Sequence, residues 1–307
     1  MTHTHHRSLG GRLLVGVALN VVMLALQVVG GVAANSLGLL SDAAHNGSDV
    51  AALGMAYAAD RVGKRPRTAR LTYAYGRWEV LVALVNAVAL VAVSALIVYE
   101  AVGRLLHPSP VSGLLVMIVA SAGVIGNALA AWLLEGEQSV NARSAFLHLT
   151  ADAAASGAVV IGGLLVWLAH LTAVDAALSI AIAIWITRAS IKVGVDAGRI
   201  LLEGVPVGLD LAGVERELLT VDGVEGVHDL HVWSVSSTDS VLSAHLQVAD
   251  TRVSSATQVV DEVKRRLAAR FGIDHATLEI ECRGRECVGS CCRFSELAVE
   301  DPAAAHR

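Results

Sequence analysis

GLLSDAAHNGSDVAALG, residues 38–54, decides how this chain folds: it sets two carboxylates, a histidine and a carboxamide inside a stretch otherwise apolar enough to cross a bilayer. His45 and Asp49 are four residues apart, about one helical turn, so imidazole and carboxylate share one helix face. The same His-x-x-x-Asp spacing recurs in AFLHLTADAAASG, residues 145–157, as His148 and Asp152. Two such faces turned toward each other make a four-ligand site. Two neutral imidazole nitrogens and two carboxylate oxygens suit tetrahedral zinc. An aspartate at the centre of a span costs about 2.5–3.5 kcal/mol on an insertion scale, and pairing with a divalent cation is among the few things that offset it. The competing reading is a buried hydrogen-bond knot. It serves one intramembrane histidine as well as a metal does, but two matched pairs favour the metal. Asp42, His45 and Asp49 follow the i, i+3, i+7 spacing of one face, which makes Asp42 a candidate support behind His45.

Around this stretch the composition is that of a membrane protein: 54% of the 307 residues are hydrophobic and only 17% charged, with the apolar residues in long blocks. Five blocks stand out, residues 13–34, 37–59, 80–99, 111–134 and 145–169, and a sixth, shorter one at 174–189 carries Asp175 near its start. Counting it gives six spans and returns the polar last third to the side of the N-terminus. Arg61, Lys64, Arg65, Arg67, Arg70 and Arg77 crowd the link between spans two and three, whereas the opposite links hold only Arg104. By the positive-inside rule that link is cytosolic, and so are both termini. The first block exceeds an ordinary signal-peptide core and is read as a span.

One axial mismatch stands against the pairing of the two motifs. His45 and Asp49 sit near the middle of span two, while His148 and Asp152 sit in the first third of span five, an offset of the order of 10 Å at 1.5 Å per residue. Tilt and shifted boundaries must absorb it. Asn20, Gln27, Asn86 and Asn127 are read as interhelical hydrogen-bonding groups, and Gly30-Gly31 and Gly162-Gly163 as points of close helix approach. His107 and His170 fall at external ends, as solvated histidines.

After Arg199 the pattern becomes that of a small soluble domain. Residues 209–219 and 256–271 have helical periodicity, 227–235, 241–248 and 276–282 alternate as strands, and SSTDS turns between the first two strands. The order is α-β-β-α-β. His231 stands at odd spacing from His228, so on a regular strand the two face opposite sides. All four cysteines, Cys282, Cys287, Cys291 and Cys292, lie in the last tenth of the chain, in what the topology makes a reducing compartment, so structural disulfides are not expected. Cys287, Cys291 and Cys292 are spaced closely enough to hold zinc, although a flexible tail serves equally well. The net charge of −5 argues against a nucleic-acid partner, and no nucleophile or phosphate loop points to an enzyme or an ATP-driven pump. Arginine outnumbers lysine amid abundant Ala, Val and Gly, which hints at a GC-rich bacterial source.

Several long stretches, in this order, resemble the cation diffusion facilitators, and in particular their zinc-transporting branch: SLGLLSDAAHNGSD, LTYAYGRWEVLVALVN, VNARSAFLHLTADAAAS and VHDLHVWSVSSTDSVLSAHL. The resemblance covers nearly the whole chain. It implies a homodimer in the cell's inner (plasma) membrane, each subunit with a short His-containing tail (1–12), a six-helix membrane domain (13–198), a ferredoxin-like cytosolic domain (199–282) and a Cys-containing tail (283–307). It also implies exchange of a cytosolic divalent metal for a proton at His45, Asp49, His148 and Asp152. In the soluble domain it makes His228, His245 and Glu281 the leading candidates for zinc as a structural or regulatory ion, with His275 and Glu279 next. Ordinary surface histidines are the alternative there.

Two departures from the family's pattern are legible. Residues 64–77 contain neither Asp nor His, so the additional metal site that some bacterial members carry in this link is expected to be missing. The link between spans four and five is the short EGEQSVNAR rather than a His-rich insert, and His3, His5 and His6 at the N-terminus are either a weak metal collector or a polar tail. The expected function is zinc export by antiport, with no cofactor. Within the class cadmium, cobalt or iron are alternative substrates; outside it, the chain is a membrane metal sensor or scaffold with vestigial transport.

Overall fold

The structure is a computed structural model that describes residues 5–63, 68–73, 75–134 and 140–282. Six long helices come first: α1 (His5–Ala34), α2 (Leu37–Gly63), α3 (Gly76–Leu106), α4 (Gly113–Leu134), α5 (Val140–Ala169) and α6 (Ala173–Leu201). They are followed by α7 (Leu211–Leu219), β1 (Gly226–Ser234), β2 (Ser240–Val248), α8 (Val253–Phe271) and β3 (His275–Cys282). His3 and the cysteines Cys287, Cys291 and Cys292 lie outside the described residues.

Helices α3, α4, α5 and α6 are long and apolar enough to cross a bilayer. The apolar described part of α1, Asn20–Ala34, is shorter. α2 is diluted by Asp42, His45, Asn46 and Asp49. The sixth apolar block, read as residues 174–189, belongs to a helix of 29 residues, because Arg188, Lys192, Asp196 and Arg199 continue it past the apolar part.

The chain divides into two compact units, one made of Met1–Asp60 and Val82–Gly194, the other of Arg61–Leu81 and Val195–Arg307. In the first, small residues set the packing. A Cβ at Gly30 would come 2.5 Å from Val119, and one at Gly163 would meet Val116 at 2.9 Å and the Gly113 carbonyl at 3.1 Å. Both expected close-approach points are therefore real, each against α4. The turn from α1 to α2 is fastened by a residue the sequence left unexplained. Asp175 is buried and accepts hydrogen bonds from Ser36 Oγ at 2.5 Å, Leu37 N at 2.9 Å and Gly38 N at 3.3 Å, while Ser36 Oγ accepts from Leu39 N at 3.2 Å. The amide groups that open α2 would otherwise lack partners in an apolar bundle, and a carboxylate is favoured at a helix N-terminus.

In the second unit β2 lies between β1, to which it is antiparallel, and β3, to which it is parallel. The α-β-β-α-β order read from the alternating pattern is present. Leu242, Ala244 and Leu246 on β2 are buried with Val214 and Leu218 of α7 and Val263 and Leu267 of α8, so the helices cover one sheet face and Ser243, His245 and Gln247 occupy the other. The basic link belongs to this unit too: Arg77 pairs with Glu203 at 2.9 Å, and Glu79 accepts bonds from Ser237 N at 3.0 Å and Ser237 Oγ at 2.5 Å.

Candidate metal centre

The four residues singled out by spacing meet between α2 and α5 in an interleaved ring. His45 Nε2 lies 3.1 Å from Asp152 Oδ1 and 3.9 Å from Asp49 Oδ2. His148 Nε2 lies 3.3 Å from Asp49 Oδ2 and 3.6 Å from Asp152 Oδ2. The imidazole centroids are 6.1 Å apart. Each nitrogen thus faces one carboxylate of its own helix and one of the other. The axial mismatch is absorbed, in part because α5 begins at Val140, so His148 lies about two turns inside the helix although it is near the edge of the apolar block.

Asp49 Oδ2 is buried without a hydrogen bond among the described residues, so it keeps lone pairs that a cation would satisfy. Asp152 is 4% exposed, whereas the His148 side chain is half exposed and opens the ring to solvent. A cavity of about 380 Å³ adjoins it, lined by His45, Asp49 and His148 with Ser48, Asn86 and Trp185. Asn86 Nδ2 donates to Ser48 Oγ at 3.2 Å. Trp185 meets the His45 ring edge-to-face with centroids 4.8 Å apart, a contact that restricts the imidazole's orientation. Spacing arguments missed it; the one available signal was a lone aromatic in AIAIWITRAS.

Asp42 is buried one turn before His45, yet its hydrogen bonds run to Gln27 and Ser156, on α1 and α5, and not to His45.

In the soluble domain, strand register brings the leading candidates together. His228 and His245 are direct cross-strand partners with ring centroids 5.0 Å apart. Glu281 reaches both, with Oε2 2.7 Å from His228 Nε2 and Oε1 2.9 Å from His245 Nδ1. The three ligand atoms lie within 4.8 Å of one another, close enough for one ion. Glu279 comes 3.5 Å from His245 Nε2. His275 does not join them. It pairs with Val241 at the far end of β3 and stacks edge-on against Tyr73, with centroids 6.0 Å apart.

The expectation that His231 and His228 face opposite sides is corrected. The register slips between them, so three steps on β1 match two on β2, and His231 emerges on the same face as His228. Asp229, at φ 51°, makes the bulge, in a left-handed conformation that aspartate tolerates better than most residues. Its carboxylate lies 3.1 Å from His231 Nε2 and 3.7 Å from His245 Nε2. A bulge leaves little trace in an alternating pattern, and Asp229 was not anticipated.

Sequence comparison assigns the class. Residues 13–202 match the cation efflux transmembrane domain and residues 206–282 the cytoplasmic domain of cation efflux proteins. The chain belongs to the cation efflux family, whose members are membrane transporters and not enzymes. Among its relatives is the metal cation efflux system protein CzcD of Cupriavidus metallidurans, 36% identical over 91% of this chain and 89% of the relative. The zinc transporter ZitB of Escherichia coli is also 36% identical, over 90% of each chain. A cadmium, cobalt and zinc/H(+)-K(+) antiporter of Bacillus velezensis is 30% identical over 92% of each. A solved structure, the metal-bound C-terminal domain of the CzcD transporter, is 40% identical, covers 24% of this chain and 99% of its own, and superposes with a TM-score of 0.22.

Proposed function

We propose that this chain exports zinc from the cytosol in exchange for protons, working as a six-span homodimer of the inner membrane with both termini in the cytosol. His45, Asp49, His148 and Asp152 are the transport ligands in this reading. The observation that carries it is the interleaving of two imidazole nitrogens with two carboxylates, one of which keeps a buried oxygen without a hydrogen bond among the described residues. Two nitrogens and two oxygens match zinc, leave cadmium and cobalt as competitors, and disfavour the oxygen-seeking manganese. The relatives named for zinc, cadmium and cobalt transport support the same set.

An imidazole must be neutral to bind metal, and its ordinary pKa is about 6.5, so proton and metal compete for one nitrogen near ambient pH. A site that faces the cytosol loads the ion as protons leave. Facing the more acidic exterior, it takes protons and lets the ion go. His228, His245 and Glu281 hold a further zinc in the soluble domain, which serves as the second dimer contact in this reading; the match to the family's cytoplasmic domain supports dimer formation. The reading is tested by zinc flux in proteoliposomes holding the full chain, with cadmium, cobalt, iron and manganese in parallel. Zinc uptake driven by a proton gradient and lost in Asp152→Ala is the expected result. Uptake unaffected by that substitution would remove the assigned site.

A further inference from the structure

The polar groups of α2 form two clusters, and only one is accounted for by metal. The second is centred on Asp42, which is 1% exposed. Its Oδ2 accepts hydrogen bonds from Gln27 Nε2 at 2.6 Å and Ser156 Oγ at 2.9 Å, and Gln27 Oε1 in turn accepts from Asn46 Nδ2 at 2.7 Å. Gln27, Asn46 and Ser156 are themselves 3% exposed or less. α4 closes over the cluster with Gly123, where a Cβ would come within 3.1 Å of Ser156 Oγ and 3.3 Å of Gln27 Nε2.

This carboxylate is therefore buried, bridging α1, α2 and α5, and its hydrogen-bond partners among the described residues, Gln27 and Ser156, are neutral. Neither α4 nor the apolar part of α1, Asn20–Ala34, carries a charged residue. The titratable groups that face it are His45, one turn along its own helix, and Asp152, one turn from Ser156 on α5. No lysine or arginine pairs with it among the described residues. A buried carboxylate without a permanent counter-charge is expected to bind a cation or become neutral by taking a proton. Both donated bonds fall on Oδ2, and among the described residues no hydrogen bond reaches Oδ1, which leaves that oxygen for a proton.

We propose that Asp42 is a proton-carrying site distinct from the four metal ligands, and that it exchanges its proton as the metal site one turn away fills and empties. The balance is simple. A dication arriving between His45, Asp49, His148 and Asp152 favours the ionised form of Asp42, so one proton leaves Oδ1; departure of the metal removes that attraction, and one proton returns. Linkage is reciprocal, so the ionised carboxylate tightens metal binding by the same factor. Gln27 and Ser156 can donate to Oδ2 in both states, and more strongly to the ionised one, because a hydrogen bond to a charged acceptor is the stronger.

The inference rests on the four-residue transport site, and the experiment separates the two. The full-length protein is reconstituted, and protons released per zinc bound are measured with a pH-sensitive dye alongside calorimetry across a pH series. Asp42→Asn preserves the acceptor oxygen but cannot ionise, so it should release about one proton fewer per zinc and flatten the pH profile. A merely structural role for Asp42 predicts the wild-type ratio and profile, and that result overturns the proposal. If the asparagine variant fails to fold, Ser156→Ala takes its place. Removing one donor to the ionised form should move the pH midpoint of proton release upward, and an unmoved midpoint overturns the proposal equally. Loss of zinc flux in Asp152→Ala together with an unaltered proton count in Asp42→Asn removes only the present inference. Persistence of flux in Asp152→Ala removes the transport site on which it rests.

Discussion

His45 Nε2 stands 3.1 Å from Asp152 Oδ1, closer than to the carboxylate of its own motif, Asp49, at 3.9 Å. The His-x-x-x-Asp pairs are thus not two separate half-sites. Each imidazole is poised against the aspartate of the opposite helix as well as its own, so motion of α2 relative to α5 must deform the whole ligand set at once. That is a useful property in a transporter, where the site has to hold an ion in one arrangement and release it in another.

Asp49→Ala and Asp152→Ala should each lower proton-driven zinc flux by more than about a hundredfold, since each removes a candidate ligand and its balancing negative charge, and loss of even an outer partner of a metal ligand costs about 10–100-fold in affinity. The folded state should survive, as the loss is confined to one side-chain cluster between α2 and α5. Flux assays paired with size-exclusion chromatography measure both, and near-normal transport in either variant would sink the assignment.

Replacing an imidazole by a carboxylate in His45→Asp raises the oxygen share of the shell to three ligands in four. Discrimination against manganese and cadmium should fall, by about tenfold for each 1.4 kcal/mol of preference lost. Competition flux measurements report the ratios; unchanged zinc-over-manganese and zinc-over-cadmium values would refute the idea.

Trp185 touches His45 with its ring and belongs to no ligand set. An edge-to-face contact of this kind contributes about 0.5–1.5 kcal/mol. Trp185→Ala should therefore weaken zinc binding by roughly two- to tenfold, with Trp185→Phe recovering most of it. Equal affinities for the alanine and phenylalanine variants, measured by calorimetry, would show that the ring does not orient the histidine.

Asp175 accepts three bonds where α2 begins. In Asp175→Ala these donors lose their partner inside the bundle, at a cost of about 1–3 kcal/mol for each group left unsatisfied. The denaturation midpoint in detergent should drop, while residual folded protein keeps its metal selectivity. A midpoint equal to wild type would mean that water or Ser36 alone suffices.

Metal should stabilise the soluble domain through residues on all three strands, His228, His245 and Glu281. At a hundredfold excess over the dissociation constant, linkage is worth about 2.7 kcal/mol. Residues from about Arg199 onward, expressed alone, should then melt of the order of 10 °C higher with zinc than with chelator. His245→Ala should shrink that shift, whereas His275→Ala should not, because His275 stands apart from the cluster. Equal shifts in the two variants would contradict the assignment.

The helices, the order of elements along the chain and the candidate metal-ligating residue types are local properties, and the sequence alone determined them. Apolar blocks mark the membrane helices because a bilayer admits little else, the two four-residue spacings put histidine and aspartate on one face, and alternation marks the soluble strands. Periodicity says which face of a helix is polar, but neither how far one helix slides along another nor which side chain meets which. Only the tertiary structure decided that His45 approaches Asp152 across 107 residues, that Asp42 turns to Gln27 and Ser156 rather than to His45, and that Asp175 fastens the start of α2. The bulge at Asp229 belongs to the same group: one extra residue on β1 reverses the parity on which the reading of His231 depended, and only pairing with β2 reveals it.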